Sequence, residues 1–193
     1  QKQIVQQMRS FGMITVLPGF AGFVPSALVS LFPNATYSQL PDWGHFSKDY
    51  CCGYLLQSTD PLFQQIGTAV TRQVIKEFGT DHVYNVDVYN EMNPSSKNPN
   101  FLRNVTARVF QAMETVDPQA VWLMQGWLFK DKPLFWRPPE IKAFLSGVPP
   151  GRMIVLDLQA ELNPVWEKTD SFYGTEFIWC MLHNFGGNIG QYG

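Results

Sequence analysis

The run at 82–91, HVYNVDVYNE, sets Asn85, Asp87, Tyr89 and Glu91 two residues apart, with Tyr84, Val86 and Val88 between them. In an extended chain alternate side chains share a face, so the polar set lies on one side and the apolar set on the other. The run at 153–161, MIVLDLQAE, repeats the pattern. Ile154, Leu156 and Leu158 are expected to face covering helices, and Asp157, Gln159 and Glu161 the interior. In AVWLMQGW, at 120–127, Gln125 and Trp127 fall on one side near the end. Polar groups cost a buried sheet several kcal/mol unless partnered. Three strands that gather them toward their C-terminal ends match the place where barrel enzymes build their sites. Glu91 and Glu161, one at the end of each of two strands, are a carboxylate pair suited to glycoside chemistry. The same periodicity also fits a satisfied polar network that only holds the barrel together.

Other residue types add less. Tryptophan offers a flat apolar face and one donor, which suits the C–H faces of sugar rings. Of the six tryptophans, Trp127 and Trp179 are placed at a pocket and Trp122 on the helix side. Cys180 and His183 are spaced as metal ligands could be, but no second ligand cluster accompanies them, and His183 reads better as a pocket or core residue. The end NFGGNIGQYG lacks the Walker lysine and opens no visible helix, so it is no phosphate loop. Cys51, Cys52 and Cys180 give neither a disulfide framework nor zinc spacing. A bond between the neighbours Cys51 and Cys52 stays open. No metal or cofactor is expected.

These residues need a scaffold, and the rest of the chain supplies one. Asp60 is a candidate N-cap with Pro61 at the first helical position, followed by Leu62, Ile66, Val70, Val74 and Phe78 at helical spacing up to Gly79. Asn98-Pro99 opens a second helix that carries Leu102, Val105, Val109, Met113 and Val116. Further helices are expected at 1–11 and 138–148, and strands at 13–17, 82–90, 120–127, 153–160 and 177–182. Residues 19–58 resist assignment. Strand–helix–strand repetition implies right-handed crossovers and a parallel sheet. A closed (β/α)8 TIM-type barrel typically needs about 250 residues. The 193 residues are therefore expected to form a single partial barrel of about five strands. The start inside a helical run and the end inside a glycine-rich loop suggest a piece of a longer protein.

Composition narrows the partners. Lys and Arg number 14 against 16 Asp and Glu, a net charge of −2, which removes the basic face a nucleic-acid binder requires. Charged residues make up 16% and aromatics 15%, the reverse of a disordered chain. Glycines and prolines interrupt the longest charge-free stretch too often for a membrane span. Two sequons, at Asn34 and Asn104, suggest glycosylation along a secretory route.

The ordered runs MRSFGMITVLPGFAGFVP, IKEFGTDHVYNVDVYNEMNP, VWLMQGWLF, VLDLQAE and FIWCMLHNFGGN together resemble the catalytic barrel of glycoside hydrolase family 89, the alpha-N-acetylglucosaminidases. The resemblance covers essentially the whole chain. It implies removal of terminal alpha-linked N-acetylglucosamine, notably from heparan sulfate, with retention of configuration and in the lysosome. Asn90-Glu91-Met92 is similar to the family's acid/base motif, which makes Glu91 the general acid/base. The family's nucleophile is a glutamate in an Ala-Pro-Glu-Gly type motif downstream of HNFGGN, and no such motif occurs here. Glu161 then becomes a pocket carboxylate. With it, Asn90, Trp127, Trp179, Cys180, His183 and Asn184 would contact substrate, and Asp87 and Asp157 would support the site. The resemblance also implies a small N-terminal domain and a helical C-terminal domain, neither of them in this sequence, and leaves a homo-oligomer open. It implies a cysteine pairing near residue 52, but Lys48 occupies one of the positions, leaving Cys51 and Cys52 adjacent. An inactive sugar-binding module is the competing reading, and the piece alone is expected to be inactive and poorly soluble.

Overall fold

The computed structural model describes residues 1–42, 45–47 and 50–181. Five parallel strands, β1 (Val16–Pro18), β5 (Val83–Asn85), β6 (Val121–Gln125), β7 (Met153–Leu158) and β8 (Glu176–Cys180), pair in the order β1-β5-β6-β7-β8. This is a segment of a barrel, as the strand–helix alternation anticipates. Its helices are α1 (Lys2–Ser10), α3 (Pro61–Phe78), α4 (Pro99–Glu114), α5 (Trp127–Asp131), α6 (Pro138–Leu145) and α7 (Val165–Lys168). The stretch that resisted assignment contains α2 (Ser26–Leu31) and an antiparallel sheet of three short strands, β2 (Phe23–Val24), β3 (Tyr37–Gln39) and β4 (Tyr54–Leu56). With only two or three residues each, these strands show too little alternation to be read.

Local chemistry explains the helix starts. Asp60 Oδ1 accepts from Leu62 N at 2.9 Å, and Asn98 Oδ1 accepts from Asn100 N at 2.9 Å, each just ahead of a proline that has no N–H to satisfy. The core lies between the sheet and α3, α4 and α6. Tyr84, Trp122, Met124, Met153 and Val155 are each at most 2% exposed on the helix-facing side. On α3 the buried stripe is Leu62, Phe63, Gly67 and Thr71, rotated from the expected one.

One strand is turned over relative to expectation. Trp122 pairs in register with Met153 and Met124 with Val155, so Met153, Val155 and Asp157 point with them toward the helices. Ile154, Leu156 and Leu158 instead line the inner face, where they are only half-buried. The reason is Asp157. Its side chain is fully buried, yet it accepts backbone N–H groups from Val165 and Trp166, each at 3.1 Å, at the start of α7. Those bonds replace water and make a carboxylate tolerable on the apolar side.

Candidate active site

Three loops leave the C-terminal ends of adjacent strands, and each carries a residue singled out in the sequence. After β5 the chain abandons extended geometry sooner than expected. Residues 88–92 form a turn in which Tyr89 and Glu91 have φ of 60° and 53°. Left-handed backbone costs a non-glycine residue about 1–2 kcal/mol, so the surroundings must hold it. Val86, Val88, Tyr89 and Met92 are buried anchors, and Trp122 Nε1 donates to Val86 O at 2.9 Å. Glu91 is left half-buried and Asn90 exposed. Strained backbone kept in place by packing is common at functional sites.

Asp87 stands beside this turn with its Oδ1 enclosed and without a hydrogen-bond partner among the described residues. Burial first, and then the charge of Glu91, push its pKa up to about 6. A second group follows β6 and β7. Gly126 lets the chain turn closely past β7. Its N–H donates to Leu156 O at 2.8 Å, and a Cβ there would stand 2.7 Å from the same oxygen. Trp127 therefore opens α5 instead of ending β6. Lys130 Nζ lies 4.8 Å from the Trp127 ring centroid. Burial lowers the Lys130 pKa, and the charge of Glu161 opposes the shift. Gln159, at φ 61°, begins the turn to Glu161, and Ala160 N donates to Cys180 O at 3.0 Å, tying this loop to β8.

Glu91 borders two clefts. One, of about 590 Å³, also involves Gln39, Asp42, Asn93 and Lys132; the other, of about 400 Å³, has Phe23, Tyr50, Asn90 and the disulfide-bonded pair Cys51–Cys52 in its wall. The small antiparallel sheet thus supplies the side of the site opposite the barrel loops.

The structure brings Asp87, Asn90 and Glu91 together, and separately sets the Trp127 ring and the Glu161 charge against Lys130. Asp157 belongs to the helix layer, where it fastens the loop into α7. Trp179 pairs in register with Asp157 and so shares its face; it is 46% exposed on the helix side of the edge strand, not in the barrel interior. Cys180 is a free, half-buried thiol on the inner face, pushed up by burial and by the charge of Asp157. His183 and Asn184 lie outside the described residues. Asn34 and Asn104 are both exposed. Sequence reasoning missed Lys130, whose signal was its helical spacing from Trp127, and Asp42, which nothing in the linear pattern ties to the cysteines.

A parallel barrel segment with carboxylates and an aromatic ring in the loops after consecutive strands has the architecture of barrel enzymes, whose sites lie at that end. Comparison with known proteins narrows the class. The family model for the alpha-N-acetylglucosaminidase (NAGLU) TIM-barrel domain matches residues 1–193, and the chain belongs to that family. It is 53% identical over 193 residues to human alpha-N-acetylglucosaminidase, covering 100% of this chain and 26% of the human protein. The chain thus spans about a quarter of that relative's length. Among solved structures, a family 89 glycoside hydrolase from Clostridium perfringens in complex with PUGNAc aligns with a TM-score of 0.78 and 25% identity, over 96% of this chain and 20% of that one. The complex with 2-acetamido-1,2-dideoxynojirmycin gives 0.76 and 25% over the same shares. A doubly substituted form holding its substrate GlcNAc-alpha-1,4-galactose gives 0.77 at 24% identity, over 97% and 20%, a likeness of fold. Among the described residues no helix is long and apolar enough to cross a membrane.

Proposed function

We propose that these residues are the central part of a barrel whose full-length protein hydrolyses terminal alpha-linked N-acetylglucosaminides, with Glu91 as general acid/base. The observation that carries the reading is the position of Glu91, held in a left-handed turn at the C-terminal end of β5 and bordering both clefts. The family relationship and the 53% identity to human alpha-N-acetylglucosaminidase support it.

The stereochemistry defines the partner Glu91 needs. In an alpha-linked N-acetylglucosaminide the 2-acetamido group lies on the same face as the leaving group, so it cannot attack the anomeric carbon from behind. The enzyme must supply the nucleophile. Retention then calls for two carboxyl groups about 5–5.5 Å apart, the second on a segment downstream of this sequence. Glu91 protonates the departing glycosidic oxygen and then takes a proton from the attacking water. Trp127 offers an apolar face to the sugar, and Glu161, through Lys130, keeps that side polar and ordered. Asp87 is neutral below about pH 6 and negatively charged above it, which fits work in an acidic compartment such as the lysosome. Heparan sulfate is the proposed natural substrate, no cofactor is required, and Asn34 and Asn104 are the proposed glycan sites.

The test replaces Glu91 in the full-length protein. Glu91→Gln should lose about 10²–10⁴-fold in kcat on an unactivated disaccharide. Glu91→Ala with azide should yield the alpha-glycosyl azide from an activated substrate, because the small anion needs no base. Ordinary activity of Glu91→Gln on the disaccharide would overturn the assignment.

A further inference from the structure

Cys51 and Cys52 are adjacent, disulfide-bonded and half-buried in the wall of the cleft that also holds Asn90 and Glu91. Asp42, exposed, brings Oδ1 to 3.9 Å from Cys51 Sγ, and the ligand atoms of all three residues lie within 4.8 Å of one another. Their placement does not depend on the sulfur–sulfur bond alone. Leu40 N donates to Gly53 O at 2.9 Å, Cys51 N donates to Ser47 O at 3.2 Å, and β3 and β4 pair on either side of the loop. Opening the disulfide would therefore leave two thiols and a carboxylate facing a common point.

We propose that the Cys51–Cys52 pair, once reduced, forms with Asp42 a three-donor site for one soft divalent cation in the wall of the Glu91 cleft. Two molecules of a low-molecular-weight thiol supply the electrons: the disulfide becomes two thiols and the donor becomes its own disulfide. A zinc or cadmium ion then displaces both thiol protons to solvent and takes the Asp42 carboxylate as its third ligand. The product carries a net charge of 2 − 3 = −1. Thiolates select such ions over magnesium or calcium. Zinc–sulfur bonds of about 2.3 Å set the two thiolates about 3.8 Å apart, so the sulfurs, bonded to each other in the disulfide, move apart on reduction while the Asp42 carboxylate moves slightly closer. Three protein ligands leave a fourth position for water or for a substrate oxygen. Bound there, the ion fills part of the cleft beside Asn90 and Glu91 and lowers turnover. Only that last effect rests on the glycosidase reading.

The experiment uses full-length protein reduced with a phosphine, freed of reductant and titrated with cadmium chloride. The expected result is an ultraviolet cadmium–thiolate absorbance that saturates at one additional ion per chain relative to unreduced protein. It should be absent from Cys51→Ser/Cys52→Ser or, if that variant does not fold, from reduced protein alkylated at these two thiols. Asp42→Asn should bind cadmium at least tenfold more weakly. Hydrolysis of 4-nitrophenyl alpha-N-acetylglucosaminide by reduced wild type should fall at least fivefold with cadmium and return with a chelator, whereas the activity of the double variant should not respond. Equal absorbance in reduced wild type and the double variant would overturn the site, undiminished binding by Asp42→Asn would overturn the three-donor set, and binding without any change in hydrolysis would overturn its coupling to the cleft. Glu91→Gln should keep the absorbance in full, so an error in the catalytic assignment shows separately.

Discussion

At the N-terminal ends of the parallel strands, polar side chains close into small, satisfied networks, whereas at the C-terminal ends they are left enclosed or strained. Asp81, just ahead of β5, accepts from Arg9 Nε, from Thr15 N at 2.8 Å and from the Thr15 hydroxyl. Against some desolvation, the hydrogen bond from the Thr15 hydroxyl, with those from Thr15 N–H and Arg9, holds its pKa down to about 2. Asp117, ahead of β6, is buried, which would push its pKa up, yet hydrogen bonds from Tyr84 and His82 hold it below the usual range. Arg152, ahead of β7, donates to Ala120 O and Pro118 O. At the opposite end Asp87 has an oxygen without a hydrogen-bond partner among the described residues and a raised pKa, and Tyr89, Glu91 and Gln159 adopt left-handed backbone. One end of the sheet stabilises the fold. The other spends stability on holding groups where water alone would not leave them.

That contrast can be broken by measurement. The largest effect expected is Glu91→Gln, a loss of about 10²–10⁴ in kcat, with thermal stability changed by less than about 1 kcal/mol. A large fall in melting temperature would move Glu91 to the structural end of the comparison. Asp117→Ala should do the reverse. It removes a buried acceptor shared by the Tyr84 hydroxyl, the His82 ring and the Gln119 N–H, costing about 3 kcal/mol in denaturant unfolding. Activity per folded molecule should stay within about twofold of wild type. Trp127→Ala comes next, raising KM about tenfold with a smaller change in kcat, since an apolar platform binds substrate and transition state alike.

Much of this was legible in the sequence. The caps at Asp60 and Asn98 and the order of strands and helices follow from local chemistry, and Tyr84 and Val86 are buried on the helix side as alternation requires. Alternation failed at Asp157 because a carboxylate can satisfy itself on backbone N–H groups of a helix eight and nine residues on, and no periodic pattern records that. It failed again beyond residue 87, where the chain turns and the spacing of Tyr89 and Glu91 ceases to define a face. The resemblance to a family, not periodicity, separated Glu91 from Glu161. The meeting of Asp42 with Cys51 and Cys52 depends on the three short strands, too brief to leave a trace in the sequence.

The smallest expected effect tests the comparison most directly, because it assigns a pH dependence to one end of the sheet. Asp87 has an ordinary value of 3.8 and a folded value of about 6. Between those values the folded protein holds a proton that the unfolded chain has released. The stability contributed by the neutral carboxyl is therefore present in full below about pH 4 and is lost as pH rises through about 6. A shift of this size corresponds to at most about 3 kcal/mol, and solvent reaching the half-buried group reduces it to about 1 kcal/mol. Asp87→Asn cannot ionise, so its stability relative to wild type should rise by that amount between pH 4 and pH 7. Asp81→Asn, at the other end, should change in the opposite sense and at lower pH, because a depressed carboxylate loses its contribution as pH falls from about 4 toward 2. If both variants shift in the same direction and the same pH window, the two ends of the sheet are not electrostatically distinct, and the raised carboxyl beside Glu91 ceases to mark a functional site.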